Sequence, residues 1–229
     1  MQLSFPKNTL KAVLFDMDGV LFDTMPYHAR AWTQAMTEVG LPFNEYEAYL
    51  NEGRTGASTI DTEFVKFYGR PSSQAEQQRI YSRKSELFQQ YPPAPVVPFA
   101  LELAQKIKTQ GLQTLVVTGS GETEMFLRVQ QSFPGIFDRE QMVTAYDVIR
   151  GKPHPEPYLK ALEKAGVQSY EAVVIENAPL GVEAGVAAGI FTIAVNTGIL
   201  RSEVLSEAGA SLMFNSMKEL YDAWDNLTH

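Results

Sequence analysis

The sequence Leu14-Phe15-Asp16-Met17-Asp18-Gly19-Val20 places two aspartates, one residue apart, at the end of an apolar run that begins at Leu10. The run predicts a buried β-strand, and an isolated charge at the buried end of a strand is very costly. Gly19 follows the aspartates and allows the chain to turn sharply. We therefore expect Asp16 and Asp18 to face a bound cation, and at least one of them to take part in chemistry.

The composition limits the class of protein. The 229 residues carry a net charge of -8, which argues against a nucleic-acid partner because such a partner needs a basic face. The chain has no cysteine, so disulfides, thiol catalysis and thiolate metal sites are excluded. The first residues lack the pattern of a signal peptide, and no apolar run is long enough to span a membrane. We expect a cytoplasmic monomer without a membrane partner.

Apolar runs that alternate with amphipathic segments predict an α/β fold. The predicted buried strands are Leu10–Phe15, Leu112–Val117, Met142–Ala145, Ala172–Ile175, Thr192–Val195 and Ser211–Phe214. The predicted helices between or after them are Ala100–Lys108, Thr123–Gln131, Glu156–Ala165, Pro179–Ala188 and Met217–Leu227. Strands that alternate with helices are typical of a Rossmann-like parallel sheet with helices on both faces.

One segment interrupts this alternation. Between Pro26 and Gln90 the sequence has no convincing strand, and its apolar spacing predicts helices at Tyr27–Val39, Tyr46–Asn51, Thr59–Tyr68 and Gln74–Gln90. A proline-rich connector, Tyr91–Pro98, follows and is expected to be stiff and extended. We predict a discontinuous core of residues 1–24 and 96–229, with an all-helical domain of residues 25–95 inserted into it.

Polar residues follow several of the predicted strands, at the edge where open α/β sheets bind ligands. Thr118-Gly119-Ser120-Gly121 offers hydroxyl and amide groups before a predicted helix, which suits a phosphoryl oxygen. Lys152 lies in a loop between a glycine and two prolines, which fix the backbone. Glu176-Asn177 ends a strand, and Gly181, Gly185 and Gly189 beyond it predict close packing.

These groups suit phosphoryl transfer, which needs a metal, donors for the phosphoryl oxygens and an aligned nucleophile. Asp16 is the expected carboxylate nucleophile, which forms an aspartyl phosphate. Asp18 is the expected acid that protonates the leaving group and the base that then activates water. Thr118 and Lys152 complete the expected catalytic set, and Gly119 and Ser120 are expected to contact the substrate.

The four motifs, taken in order, resemble those of the haloacid dehalogenase-like superfamily, in its β-phosphoglucomutase-like branch. They are Asp16-Met17-Asp18-Gly19-Val20, Thr118, Lys152-Pro153 and Glu176-Asn177. The helical insert is similar to the α-helical cap that closes over the site in this family. The resemblance implies a Mg²⁺ cofactor held by Asp16, the backbone carbonyl of Asp18, and Asn177, with Glu176 adjacent.

Asn177 stands where the family usually has a carboxylate, so this metal site has one negative charge fewer. Its amide oxygen can still bind Mg²⁺, a cation that prefers oxygen ligands. Glu52, in the cap segment Asn51–Ser58, is a candidate compensating ligand and lies where family members carry a specificity loop. Arg54, Lys84 and His28 resemble cap residues that contact substrate, although each also suits an ordinary structural role.

The sequence is compatible with more than one phosphorylated substrate. Glu52 with Asn177 is similar to an inorganic-pyrophosphatase offshoot of the branch, which favours Mg²⁺-dependent hydrolysis of pyrophosphate or another small phosphate ester. The alternatives are a β-phosphoglucomutase, which converts β-glucose 1-phosphate to glucose 6-phosphate, and a sugar-phosphate phosphatase. Gly121-Glu122 replaces a Lys-Asn pair of the mutases and disfavours a second phosphate. A non-enzymatic binding module is disfavoured because both aspartates are present.

Overall fold

The computed structural model describes residues 9–120 and 124–227 and shows a parallel sheet of six strands. The strands are β1 (Ala12–Phe15), β2 (Gln113–Val117), β3 (Met142–Val143), β4 (Ala172–Glu176), β5 (Phe191–Val195) and β6 (Leu212–Phe214). Their order across the sheet is β3-β2-β1-β4-β5-β6. The first strand therefore lies inside the sheet, paired in parallel with β2 on one side and β4 on the other.

Helices connect these strands. The helices of the insert are α1 (Met25–Thr37), α2 (Glu45–Leu50), α3 (Gly56–Tyr68) and α4 (Gln74–Phe88). The remaining helices are α5 (Ala100–Thr109), α6 (Glu124–Ser132), α7 (Glu156–Ala165), α8 (Pro179–Ala187), α9 (Ser202–Glu207) and α10 (Met217–Leu227). All four helices of the insert lie between β1 and β2 in the chain, as the sequence predicted.

The side chains of β1 alternate between two hydrophobic clusters because successive residues of a strand point to opposite faces. Val13 and Phe15 join a cluster that contains residues of α5, α6 and α10. Ala12 and Leu14 join another that contains residues of α7 and α8. All four are completely buried, as expected for a parallel sheet covered on both faces. The predicted fold class is confirmed.

The four insert helices form a third hydrophobic cluster, which includes Met36, Phe64 and Ile80. Leu200, from the loop after β5, also belongs to this cluster. The segments that lead into and out of the insert lie side by side: Phe22 and Val96 form a β-bridge, and Asp23 N–H donates to the carbonyl of Pro95 at 2.9 Å. The proposed division into residues 25–95 and a core stays a prediction.

Sequence patterns located every strand but missed one helix. The short helix α9, Ser-Glu-Val-Leu-Ser-Glu, has only two apolar residues and therefore shows no helical repeat. Within the described ranges, no helix combines the length and the apolar character required to cross a membrane.

Two of the three glycines after β4 provide the predicted close packing. A Cβ on Gly181 would lie 1.9 Å from Glu176 Oε1, and one on Gly185 would lie 2.5 Å from Thr192 Oγ1. Glycine at position 189 is explained by its backbone conformation instead, because its φ of +72° is left-handed, whereas a Cβ there would make only ordinary contacts. Helix α8 can therefore approach the sheet only with glycine at the first two positions.

We predict that Gly181→Ala lowers the free energy of unfolding by about 1–3 kcal/mol, because the added methyl group overlaps the buried carboxylate of Glu176. This loss should appear although alanine favours helix over glycine by about 1 kcal/mol. Urea unfolding measures the change, and Glu183→Ala, at an exposed position of the same helix, is the matched control. A Gly181→Ala protein as stable as the wild type would contradict the tight packing.

Candidate active site

Three strands and one loop bring four polar side chains together at the carboxyl edge of the sheet. Asp16 follows β1, Thr118 follows β2, and Glu176 is the last residue of β4. Lys152 comes from the loop that precedes α7. All four side chains are buried, although polar groups of these types are usually exposed. The residues that the sequence singled out in four separate segments are therefore neighbours.

The Lys152 ammonium group links three acceptors. It donates to Asp16 Oδ1, to Glu176 Oε1 at 2.6 Å and to the carbonyl of Val117 at 3.2 Å. An ammonium group has three N–H donors, so these contacts use its full capacity. The position of Lys152 is therefore fixed by the core rather than by solvent.

Glu176 is surrounded by donors. Its Oε1 accepts from Lys152 and from the hydroxyl of Tyr158, each at 2.6 Å, and its Oε2 accepts from the backbone N–H groups of Asn177 and Ala178 at 3.1 and 3.4 Å. Tyr158 was not among the predicted site residues. The helical repeat of α7 predicts that Tyr158 lies on the buried face, and a buried tyrosine hydroxyl needs a hydrogen-bond partner. These two facts together could have identified it.

Burial and neighbouring charges shift the pKa values of this group. Burial and the charge of Glu176 raise the pKa of Asp16 well above its usual value, even though Lys152 opposes the shift. Burial alone would lower the pKa of Lys152, but the charges of Asp16 and Glu176 outweigh it and raise that pKa. Burial and Glu176 raise the pKa of Tyr158, so its hydroxyl is a donor at neutral pH.

Asp18 points to the helical insert. Thr24 Oγ1 donates to Asp18 Oδ1 at 2.6 Å, and His28 Nε2 lies 3.7 Å from the same oxygen. The Lys84 ammonium donates to His28 Nδ1 at 2.9 Å, and the His28 ring stacks on Phe88 with centroids 4.1 Å apart. Burial alone would raise the pKa of Asp18, but His28, Thr24 and the charge of Lys84 lower it below its usual value.

Glu52 crosses from the insert to the core. Asn177 Nδ2 donates to both carboxylate oxygens of Glu52, at 3.1 Å each. Burial, followed by the charges of Asp16 and Glu176, raises the pKa of Glu52 well above its usual value. Asn177 also explains the glycine in the first motif, because a Cβ on Gly19 would lie 2.1 Å from Asn177 Nδ2, and φ of Gly19 is +76°.

The donor set suits a divalent cation. Four carboxylates and two ammonium groups lie in the cluster: Asp16, Asp18, Glu52, Glu176, Lys84 and Lys152. When all are ionised, the acidic groups exceed the basic groups by two charges. Asn177 Oδ1 is buried without a hydrogen-bond partner, and an amide oxygen is a ligand that hard cations accept. No three His, Asp or Glu side chains of the described residues form a metal cluster, so backbone or amide oxygens would have to contribute.

The segment after β2 forms one wall of a small pocket. Ser120 N–H donates to Thr118 Oγ1 at 3.0 Å, and a Cβ on Gly119 would lie 3.7 Å from the carbonyl of Gly53. Thr118, Gly119 and Gly53, together with Lys152, line a pocket with a cavity volume of about 60 Å³. The pocket therefore lies between the insert and the core, beside the Lys152 side chain.

The remaining residues used in the sequence predictions differ in where they lie. Arg54 Nε donates to Asn51 Oδ1 at 3.1 Å, a contact within its own loop, and its predicted role toward substrate stays a prediction. Gly121 and Glu122, which were used to disfavour a second phosphate, lie outside the described residues. The structure places His28, Glu52 and Lys84 next to the core motifs.

Comparisons with known proteins agree with this arrangement. The profile of the haloacid dehalogenase-like hydrolases matches residues 10–189. Hexitol phosphatase A of Escherichia coli is 32% identical over 187 residues, which cover 81% of this chain and 83% of the relative. β-Phosphoglucomutase of Bacillus subtilis is 26% identical over 226 residues, which cover 94% and 96%.

A solved structure from Bacteroides vulgatus, provisionally assigned as a β-phosphoglucomutase, is also similar. It is 54% identical, superposes with a TM-score of 0.91, and the match covers 95% of this chain and 88% of that one. The family match covers most of the sheet and all four motifs, and the solved structure shares the complete fold. The chain therefore belongs to the haloacid dehalogenase-like hydrolases and is an enzyme of their phosphatase and phosphoglucomutase-like group.

Proposed function

We propose that this enzyme is a Mg²⁺-dependent hydrolase of compact phosphate substrates, with inorganic pyrophosphate as the preferred one. The contact between Glu52 of the insert and Asn177 of the core carries the proposal. This hydrogen bond joins Asn177, which stands where the family usually has a carboxylate, to the carboxylate of Glu52, which enters the site from the insert.

Space favours a small substrate. The Glu52 side chain reaches from the insert to Asn177 and lies close enough to Asp16 for the two charges to interact, so in this proposal it takes space that a sugar ring would need. The pocket beside Thr118 and Lys152 has a cavity volume of about 60 Å³. One water needs about 10–15 Å³, so this pocket beside Lys152 has room for a group the size of a few waters.

We assign the chemical steps to two aspartates. An Asp16 carboxylate oxygen attacks the phosphorus and the bond from phosphorus to the leaving oxygen breaks. Asp18, which is ionised at rest because its pKa is lowered, first takes up a proton from solvent and then gives it to that oxygen. Asp18 then takes a proton from water as the water attacks the phosphorus of the aspartyl phosphate, which releases phosphate and regenerates Asp16. Thr24 and His28, which contact Asp18, hold it for both transfers.

We assign the binding roles to the groups around Asp16. Thr118 and the Gly119-Ser120 segment hold the transferring phosphoryl oxygens, and Lys152 keeps its positive charge beside Asp16, where the phosphoryl group is transferred. Asp16, the Asp18 carbonyl and Asn177 Oδ1 would hold Mg²⁺, with Glu52 and Glu176 close to it. When bound, the metal neutralises charge on the phosphoryl group.

The helical insert supplies the other side of the site. In this proposal, residues 25–95 act as a cap that covers the reacting group, and Lys84 and Arg54 hold the distal phosphate. Lys84 is buried and bonded to His28, so its charge is held near Asp18. We keep the expectation of a cytoplasmic monomer as part of the proposal.

A sugar-phosphate phosphatase is the second candidate. Its support is the similarity to hexitol phosphatase A and to β-phosphoglucomutase. A mutase would additionally have to hold a second phosphate and keep water away from the aspartyl phosphate. The Glu52–Asn177 contact favours the compact substrate over both.

A substrate panel with Mg²⁺ separates the candidates. We expect kcat/KM for pyrophosphate to exceed that for glucose 6-phosphate and β-glucose 1-phosphate by about 100-fold, or about 2.7 kcal/mol. β-Glucose 1-phosphate should give only free phosphate, and EDTA should abolish turnover of every substrate. Accumulation of glucose 6-phosphate would instead identify a mutase, and a preference for sugar phosphates would favour the second candidate.

We predict that Glu52→Ala lowers kcat/KM for pyrophosphate by about 100-fold but changes that for p-nitrophenyl phosphate by less than about threefold. The reason is that Glu52 serves the compact substrate, whereas the Asp16 and Asp18 chemistry is common to both. Glu45→Ala, an exposed glutamate on α2 of the same insert, is the control and should change neither value. Equal losses on the two substrates would contradict the role of Glu52.

Gly53→Ala should weaken catalysis by preventing the insert loop from contacting Lys152. Gly53 has φ of +89°, and a Cβ there would lie 3.3 Å from two carbons of the Lys152 side chain. Gly69→Ala is the matched control because Gly69 also has a positive φ, +68°, but has no neighbour within 4 Å. We expect both variants to lose about 1–2 kcal/mol of stability through backbone strain.

Only Gly53→Ala should lower kcat/KM, by about tenfold or about 1.4 kcal/mol. Urea unfolding and initial rates with pyrophosphate and p-nitrophenyl phosphate measure the two effects. If the two glycine variants retain equal activity, contact of the loop with Lys152 does not contribute to turnover.

A further inference from the structure

Tyr158 is a buried polar side chain to which the proposed chemistry gives no role. The residue is completely buried in the first turn of α7, and its hydroxyl donates to Glu176 Oε1 at 2.6 Å. That oxygen also accepts from Lys152 at 2.6 Å. Two groups from one short segment of chain, residues 152 and 158, thus hold the same oxygen of a side chain on a different element.

We propose that Tyr158 is a positioning residue, which fixes the Lys152 ammonium beside Asp16 through their shared contact with Glu176 Oε1. This inference rests on the assignment of Lys152 to the transferring phosphoryl group, but it does not depend on pyrophosphate being the substrate.

The surroundings of Glu176 leave this oxygen dependent on Tyr158. The other oxygen, Oε2, is held by two backbone N–H groups at the longer distances of 3.1 and 3.4 Å. Gly181 lies against the carboxylate from the side of α8. Without the hydroxyl, Oε1 has one fewer donor, and in this proposal Lys152 is the group that moves to compensate.

Lys152 cannot move toward Glu176 without changing its contact with Asp16. Its ammonium contacts Asp16, Glu176 and the Val117 carbonyl, so a shift toward Glu176 withdraws it from Asp16. The nucleophile would then lose the cation that lies beside it. The expected consequence is slower chemistry with unchanged substrate binding, because the remaining binding groups are not touched.

The test is Tyr158→Phe, which removes only the hydroxyl. Steady-state rates with p-nitrophenyl phosphate and with pyrophosphate, each with saturating Mg²⁺, should show kcat lowered by about tenfold with KM within about twofold of the wild-type value. The factor should be the same for both substrates because Lys152 lies beside Asp16, which receives the same phosphoryl group from each, and not beside the leaving group.

Thr114→Val is the matched control. Thr114 is completely buried on β2 and donates its hydroxyl to the Ile136 carbonyl, so the variant also loses one buried hydroxyl donor. It lies near the beginning of its strand, away from the carboxyl edge. We expect its kcat to stay within about twofold of the wild-type value even though its thermal midpoint falls.

Unchanged kcat in Tyr158→Phe, an equal loss in Thr114→Val, or a rise in KM that accounts for the whole effect would each overturn the proposal. A crystal structure of Tyr158→Phe provides a readout that does not depend on activity. The Lys152 ammonium should be displaced from Asp16 Oδ1, and an ammonium in its original place would contradict the positioning role. If the wild type hydrolyses only p-nitrophenyl phosphate, the pyrophosphate proposal fails while the test of Tyr158 stands.

Discussion

The buried ion cluster around Lys152 sets the geometry of the site. A single ammonium group joins Asp16 from β1, Glu176 from β4 and the carbonyl of Val117 from β2. Burying such charges is expensive, and their mutual attraction offsets this cost only when the remaining hydrogen-bonding groups are also satisfied. Here the hydroxyl of Tyr158 and two backbone N–H groups complete the shell of Glu176. The packing of α7 and α8 against the sheet therefore has to accommodate this cluster.

The space that the buried polar groups need also explains why glycine occurs at two positions beside them. Gly181 lies against the Glu176 carboxylate, and Gly19 lies against the Asn177 amide. Alanine is the better helix former, yet a methyl group at position 181 would occupy the space of the carboxylate oxygens. The polar groups at the strand ends thus restrict both the turn after β1 and the helix after β4.

The insert contributes two charged side chains to the site. Glu52 reaches Asn177, and Lys84 reaches His28 beside Asp18. The acidic group therefore pairs directly with a core residue, whereas the basic group pairs with His28 of α1, which in turn lies 3.7 Å from Asp18 of the core. An aspartate at position 177 would place a second carboxylate against Glu52, whereas the amide donates to it. The departure from the usual family residue and the glutamate in the insert are thus a matched pair.

Local pattern was sufficient for the elements and the core motifs. Strands buried on both faces gave continuous apolar runs, and most helices gave clear repeats. The exceptions are α8, which is apolar almost all round, and α9, which has too few apolar residues. Four of the polar groups were recognisable because they lie at or soon after the end of a strand: Asp16, Asp18, Thr118 and Glu176. Lys152 was recognisable because a glycine and two prolines flank it in a loop. Thr24 and Tyr158 were not singled out, because their importance depends on partners far away in the chain or across a turn.

The sequence by itself determined the succession of strands and helices along the chain, the family and the candidate residues of the four motifs, since these depend on hydrophobic periodicity and on short motifs. Only the tertiary structure decided which oxygen each donor reaches. It placed Glu52 on Asn177, paired Lys84 with His28 and directed Arg54 to Asn51. The physical reason is that hydrogen bonds depend on distances of a few tenths of an ångström between groups that the chain separates by up to 125 residues.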